Sequence, residues 1–261
     1  LREPIRKALD WIVRSQNEYS GWGYSPEPNG TSDSVVTSWM CLALYSARAC
    51  GISVEKERIQ YGKNWFQLMK DFGTGRIGYA YGNGGGPGGL AIRYSKPFDN
   101  SGYPRSRTEG ITAGGLSIQL LDHPPMGQLG NVSWEEEAYF SELDLQIQLM
   151  MNCLPFGEKG MDFHYWLWGS LATHQLGGDS WERWKADVRV VLFEKQLHDK
   201  VDSKGRDLQG SWEPDTTWGA WGGRIYSTAM ATLILETEMR YLPAKKRADM
   251  EFKRLKALRK S

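Results

Sequence analysis

The chain has 261 residues, 40% of them hydrophobic and 24% charged, which is enough apolar material for a substantial core and excludes disorder as the main state. With 32 Lys+Arg against 31 Asp+Glu the formal net charge is +1, so no field of the whole molecule selects nucleic acid or an acidic membrane surface. Cys41, Cys50 and Cys153 are odd in number, widely spaced and without a CxxC pair, so neither a disulfide framework nor a zinc knuckle is suggested.

In chain order, the periodicity predicts a repeat of helix pairs: a long amphipathic outer helix, a Gly-aromatic turn, then a shorter apolar inner helix. In the first pair Ile5, Ala8, Leu9 and Ile12 fall on one helical face, Gln16 ends the helix and the turn runs from Gly21 to Tyr24. The inner stretch from Thr37 to Ala47 is apolar nearly all round, the pattern of a helix surrounded by others. A second pair is predicted over Lys56 to Phe72 and Thr108 to Leu121, joined through Gly78-Tyr79 and a long loop. Its adjacent Gly114 and Gly115 suggest close approach of another backbone or of a ligand, with simple packing as the plainer reason. The third pair spans Trp134 to Asn152 and Phe163 to Thr173. The fourth has Trp184, Val188, Val191 and Leu192 on one face, turns at Gly210 to Trp212, and closes with Ile225 to Leu235. Thr37, Thr112, Ser170 and Thr228 are equivalent inner positions in this reading, and no strand of consequence is expected.

Beyond the repeats, residues 244–261 hold eight Lys/Arg and two Asp/Glu, which leaves residues 1–243 at net −5. The expected division is therefore a repeat domain over 1–243 and a basic C-terminal helix or tail over 244–261. Phe252, Leu255 and Leu258 would give that tail an apolar side for a neighbour or a membrane surface, or it is simply solvated. No apolar run reaches the roughly 20 residues of a membrane-spanning helix, so no transmembrane segment is expected. The opening residues Leu1 to Pro4 lack a signal peptide's apolar region. Because the sequence starts without Met it reads as a mature form or an excised piece, and localisation is left unassigned.

Trp11 to Gln16 followed by Gly21-Trp22 resembles the QW motif of squalene and hopene cyclases, and Phe193 to Gln196 followed by Gly210 to Trp212 is a looser second copy. The stretches Asp33 to Trp39 and Gly223 to Ala229 are similar to helices lining the centre of that family's toroid. The resemblance to the prenyltransferase and squalene-hopene cyclase-like family implies an all-α fold, an α/α toroid of about four helical pairs, open or partial because complete members have more. It also implies that Gln16, Trp22, Gln196 and Trp212 clamp helix ends. The family's chemistry does not carry over. No Asp-x-Asp-Asp acid, magnesium-binding Asp cluster, zinc-binding Asp-x-Cys element or Cys-Gly-Glu-Gln thioester is present. Whether the protein is an enzyme is left open.

In such a fold the inner-helix ends carry the candidate chemistry. Glu109, Asp162 and His164 are the catalytic candidates. Asp162 and His164 would pair a carboxylate with an imidazole, although residues two apart diverge by about 200° on a helix. The ligand-binding candidates are Asp33, Trp39, Arg107, Trp166, Trp168, Arg224 and Tyr226. Asp33 equally suits a helix cap, Glu109 a favourable interaction with a helix dipole, and Arg224 an ion pair with Asp215 or another carboxylate. The run Gly82 to Gly89 lacks the Gly-Lys-Ser/Thr of a phosphate loop and reads as a lid or surface loop. His123, His164, His174 and His198 are too scattered for a metal site, and no cofactor is expected. Asn29 and Asn131 match glycosylation acceptors by pattern alone. Three functions follow as expectations: binding of a hydrophobic, isoprenoid-like ligand in an aromatic-lined cavity; an interaction module served by a partner domain or second copy; and a carbohydrate-active enzyme with paired carboxylates.

Overall fold

The structure, a computed structural model, describes residues 2–80, 109–121, 134–155 and 161–240. Arg107, the run Gly82 to Gly89, His123, Asn131 and the basic tail lie outside the described residues. Those described are all-α: α1 (Arg2–Arg14), α2 (Ser34–Ala49), α3 (Lys56–Leu68), α4 (Gly110–Gln119), α5 (Trp134–Met151), α6 (Phe163–Leu176), α7 (Gly178–Lys195), α8 (Gly219–Leu235) and α9 (Thr237–Arg240). Extended pairing among them is limited to isolated bridges such as Gln196 with Trp212. The chain divides into two compact units, one of residues 1–98, 111–121 and 142–147, the other of 99–110, 122–141 and 148–261.

In the first unit α2 and α3 pack closely because Gly62 has no side chain: a Cβ there would come within 2.2 Å of the Cys41 sulfur. Trp65 adds an indole N–H bond to Ser34 Oγ at 3.0 Å, so a large apolar ring is buried without stranding its polar atom. Gly115 answers to packing rather than to a ligand, since a Cβ there would lie 2.2 Å from Ile77 Cδ1 and 2.9 Å from Phe66. On α1 the predicted face is only half used: Leu9 and Ile12 are buried, whereas Ile5 and Ala8 are exposed.

The second unit repeats this logic with larger groups. Gly169 of α6 lies under Trp184 of α7, where a Cβ would meet the ring at 2.1 Å. Trp184 Nε1 donates to Ser170 Oγ at 2.9 Å, and Tyr165 meets the same indole edge-on at 5.4 Å between ring centres. Trp184, Val188, Val191 and Leu192 are all buried, as the spacing requires. At the C-terminal side Glu238 of α9 accepts from Trp181, Lys185 and Arg189 of α7, a short helix that the sequence reading did not separate.

Each unit contains the same turn. Trp22 Nε1 donates to Ile12 O at 2.7 Å, and Trp212 Nε1 to Leu192 O at 2.8 Å. Four residues beyond each of those carbonyls, Gln16 Nε2 donates to Ser20 O and Arg58 O and Gln196 Nε2 donates to Gly210 O. The outer helix thus has late carbonyls satisfied by an indole. The turn is then tied to its inner helix through a threonine: Trp22 N donates to Thr37 Oγ1 at 3.0 Å, and Trp212 N to Thr228 Oγ1 at 3.3 Å. Ile77 N makes the same bond to Thr112 Oγ1. Three of the four predicted equivalent positions therefore do one job, while Ser170 serves Trp184 instead.

Candidate functional site

Two inner helices depart from the expectation of burial on all sides. One side of α2 holds Thr37, Ser38, Cys41, Leu44 and Tyr45 in the core. On its other side Val35, Val36 and Met40 are half-buried, Ala43 is exposed and Trp39 is 37% exposed. In the second unit Ile225 and Ala229 are exposed one turn apart on α8 after its break at Gly223, and Trp221 is exposed before that break; Trp221 is 70% and Ile225 85% exposed. By contrast every residue of α6 from Tyr165 to Gln175 is buried. Each unit therefore carries large apolar side chains that are exposed on one inner helix.

At the N-terminal end of α2, Asp33 caps the helix by accepting from Val36 N at 2.8 Å. Its second oxygen accepts from Tyr79 Oη at 3.4 Å, and the Tyr79 hydroxyl lies 3.2 Å from that of Tyr24. Exposure rises along this chain: Asp33 is buried, Tyr79 half-buried and Tyr24 79% exposed. Burial pushes the Asp33 carboxyl above the ordinary carboxylate range, against the opposing pull of the Val36 and Val35 N–H groups and of Tyr79. Burial, with the neighbouring Tyr24 and Asp33, also raises the Tyr79 phenol. Sequence reasoning named Asp33 but missed both tyrosines.

In the second unit the structure gathers part of the predicted catalytic set. Asp162 caps α6, accepting from Tyr165 N at 3.0 Å. It lies within electrostatic reach of Tyr226, whose phenol is raised first by burial and then by that carboxylate. His164 follows one residue after α6 begins. A Cβ on Gly110, next to the buried Glu109, would approach its Nδ1 to 3.2 Å. His164 Nε2 accepts from Trp168 Nε1 at 3.1 Å, and burial lowers the imidazole to about 4. It is therefore neutral near pH 7, with one nitrogen already engaged, a geometry that holds a side chain in place better than it moves a proton.

The remaining candidates separate. Trp168 is wholly buried and Trp166 nearly so, the latter against Phe163 at 5.4 Å between rings. Arg224 follows Gly223, whose φ of 64° interrupts α8, a conformation suited to glycine. Its guanidinium pairs with Glu213 at 2.6 Å and reaches Ser211 and Trp212 O, so the carboxylate partner is Glu213 rather than Asp215. Among the described residues no group of His, Cys, Asp and Glu could hold a metal ion, and no helix is long and apolar enough to cross a membrane. A pocket of about 510 Å³ between the start of α1 and the turn after α2 is lined by Arg6, Asp10, Cys50 and Ser53 among others, and contains none of the candidates. No protein-family model, no curated protein and no solved structure matches the chain.

Proposed function

We propose that this is a binding domain of the prenyltransferase and squalene-cyclase-like type, an open α/α toroid of helix pairs that takes a hydrophobic, isoprenoid-like ligand along its inner helices. The observation carrying this reading is the exposure of large apolar side chains on α2 and α8, namely Trp39, Trp221 and Ile225. Large aromatic and aliphatic groups on a helix face are costly to leave in water, and about 25 cal/mol per Å² of covered apolar area favours an occupant. Binding needs no catalytic step from the polar candidates. Asp33 and Asp162 each accept from their own helix's backbone, and Arg224 is paired with Glu213.

A second reading, a protein-interaction module, draws on the same exposed residues, because large apolar side chains on a helix also suit a partner helix or a second copy of the chain. Native mass spectrometry of the purified chain, followed by organic extraction, separates the two. A lipid adduct on a monomer supports the ligand reading. An empty monomer that takes up no added farnesol overturns it, and an empty dimer transfers the exposed residues to the interaction reading.

A further inference from the structure

We infer that Asn29-Gly30 is a site of spontaneous backbone modification, loss of the Asn29 side-chain amide through a cyclic imide, and that Asn17 is the latch that holds it back. The inference is independent of the ligand reading above. The same asparagine matches a glycosylation acceptor by pattern, but the step proposed here needs only water.

The electrophile is prepared. Asn29 is exposed in the segment ahead of α2, and its Oδ1 accepts from Thr31 N at 2.9 Å. That N–H draws electron density from Cγ and faces the oxygen that becomes an oxyanion when Cγ is attacked. The attacking atom is the next backbone nitrogen, Gly30 N. Glycine has no side chain to shield it, and the φ of 77° at Gly30 is a conformation that favours glycine. The turn itself thus selects the reactive dipeptide.

The nucleophile is restrained. Gly30 N donates to Asn17 Oδ1 at 2.8 Å, and Asn29 N donates to the same oxygen at 2.9 Å. Asn17 is buried, and its Nδ2 donates to Thr31 O and to Ser32 Oγ. One side chain therefore holds residues 29–32 through both ends of its amide. Bringing Gly30 N onto Cγ requires turning the Asn29-Gly30 peptide out of this clamp. The proton that must leave Gly30 N is meanwhile hydrogen-bonded to a neutral carbonyl, a poor base.

Once the clamp opens, the deprotonated Gly30 N bonds to Cγ and the Cγ–Nδ2 bond breaks. Nδ2 leaves as ammonia with the proton that water carried from Gly30 N. Water then adds to either imide carbonyl and reopens the ring to an aspartate or isoaspartate at position 29, with no change of oxidation state. The product gains a negative charge. In the isoaspartate form an extra backbone atom also separates the two N–H groups that share Asn17 Oδ1, close before the Asp33 cap of α2.

The test ages the purified full chain in mildly alkaline buffer and follows the Asn29 peptide by mass spectrometry, with chromatography separating aspartate from isoaspartate. A second Asn-Gly pair, Asn83-Gly84, lies outside the described residues and is read in the same digests as a reference. Folded wild type should convert at Asn29 at least about tenfold more slowly than the same chain in guanidinium chloride. Asn17→Ala, checked for folding by circular dichroism and its melting midpoint, should convert about tenfold faster than wild type, the size expected for two lost hydrogen bonds, while the Asn83 rate stays unchanged. Equal rates in folded and denatured wild type would overturn the latch, as would a folded Asn17→Ala chain that converts no faster. Acceleration at both pairs alike would mean general loosening and overturn it too. Absence of conversion at Asn29 in denaturant would remove the site itself. If Asn17→Ala does not fold, Ser32→Ala takes its place: it removes one partner of Asn17 Nδ2, a smaller acceleration at Asn29 alone is expected, and none would contradict the inference.

Discussion

α2 and α6 are both apolar helices opened by an aspartate cap, and they differ in what covers them. In α6 the cap at Asp162 leads into a helix whose aromatic side chains are consumed by the core: Trp168 binds His164, Tyr165 binds Met150 O and Cys153 O, and Gly169 admits Trp184. In α2 the cap at Asp33 leads into a helix with a packed side and an open one, and its polar end continues outward through Tyr79 to Tyr24. The same composition thus serves as scaffold in one place and as surface in the other. What separates them is the neighbour, which an apolar pattern alone does not name.

Substitutions sharpen this contrast. The largest effect is expected for Trp168→Ala, which should cost about 3–5 kcal/mol in a denaturant unfolding curve because a fully enclosed ring leaves a cavity. Gly169→Ala comes next, at about 1–3 kcal/mol, since the added methyl must displace the Trp184 ring. Thr37→Val keeps the shape but removes the acceptor of Trp22 N and should cost about 1–2 kcal/mol; Thr228→Val should behave alike if the two turns are equivalent. A smaller loss than for Trp168→Ala is expected for Trp39→Ala, whose residue is 37% exposed rather than enclosed. A Trp39→Ala loss comparable to that of Trp168→Ala would break the contrast between the two helices.

A pH series distinguishes the caps from the imidazole. His164 is lowered from an ordinary 6.5 to about 4 in the folded chain, so the unfolded chain binds the proton more readily. Stability should be fully present above pH 6.5, decline as the pH falls towards 4, and lose this contribution completely below that. His164→Gln should flatten the part of the slope between those two values, measured as unfolding midpoints at pH 7 and pH 5. An unaltered slope would mean that the imidazole is open to water.

The helix pairs were legible because their signals are local. Period-3.6 patterning placed Trp184, Val188, Val191 and Leu192 correctly, and turn glycines marked where outer helices stop. The equivalence of Thr37, Thr112 and Thr228 was legible too, and the structure supplies its cause in one recurring hydrogen bond from a turn amide. The Tyr24–Tyr79 contact was not, since those residues are 55 apart in sequence and nothing in their local pattern couples them. Nor was the partner of Arg224, because the choice between Glu213 and Asp215 depends on how the chain turns before Gly223. The expectation that Thr37 to Ala47 is enclosed failed for a physical reason: apolar periodicity reports which residues avoid water, not whether enough neighbours exist to shelter them.

The central proposal is that the exposed apolar residues of α2 and α8 receive an apolar ligand while those of α6 do not, and photoaffinity labelling tests it most directly. A farnesol analogue carrying a diazirine on its chain, irradiated with the purified protein and mapped by peptide mass spectrometry, should label residues within Ser34–Ala49 or Gly219–Leu235, in competition with unlabelled farnesol. Competable labelling confined to Phe163–Leu176, or none that farnesol displaces, would contradict the account.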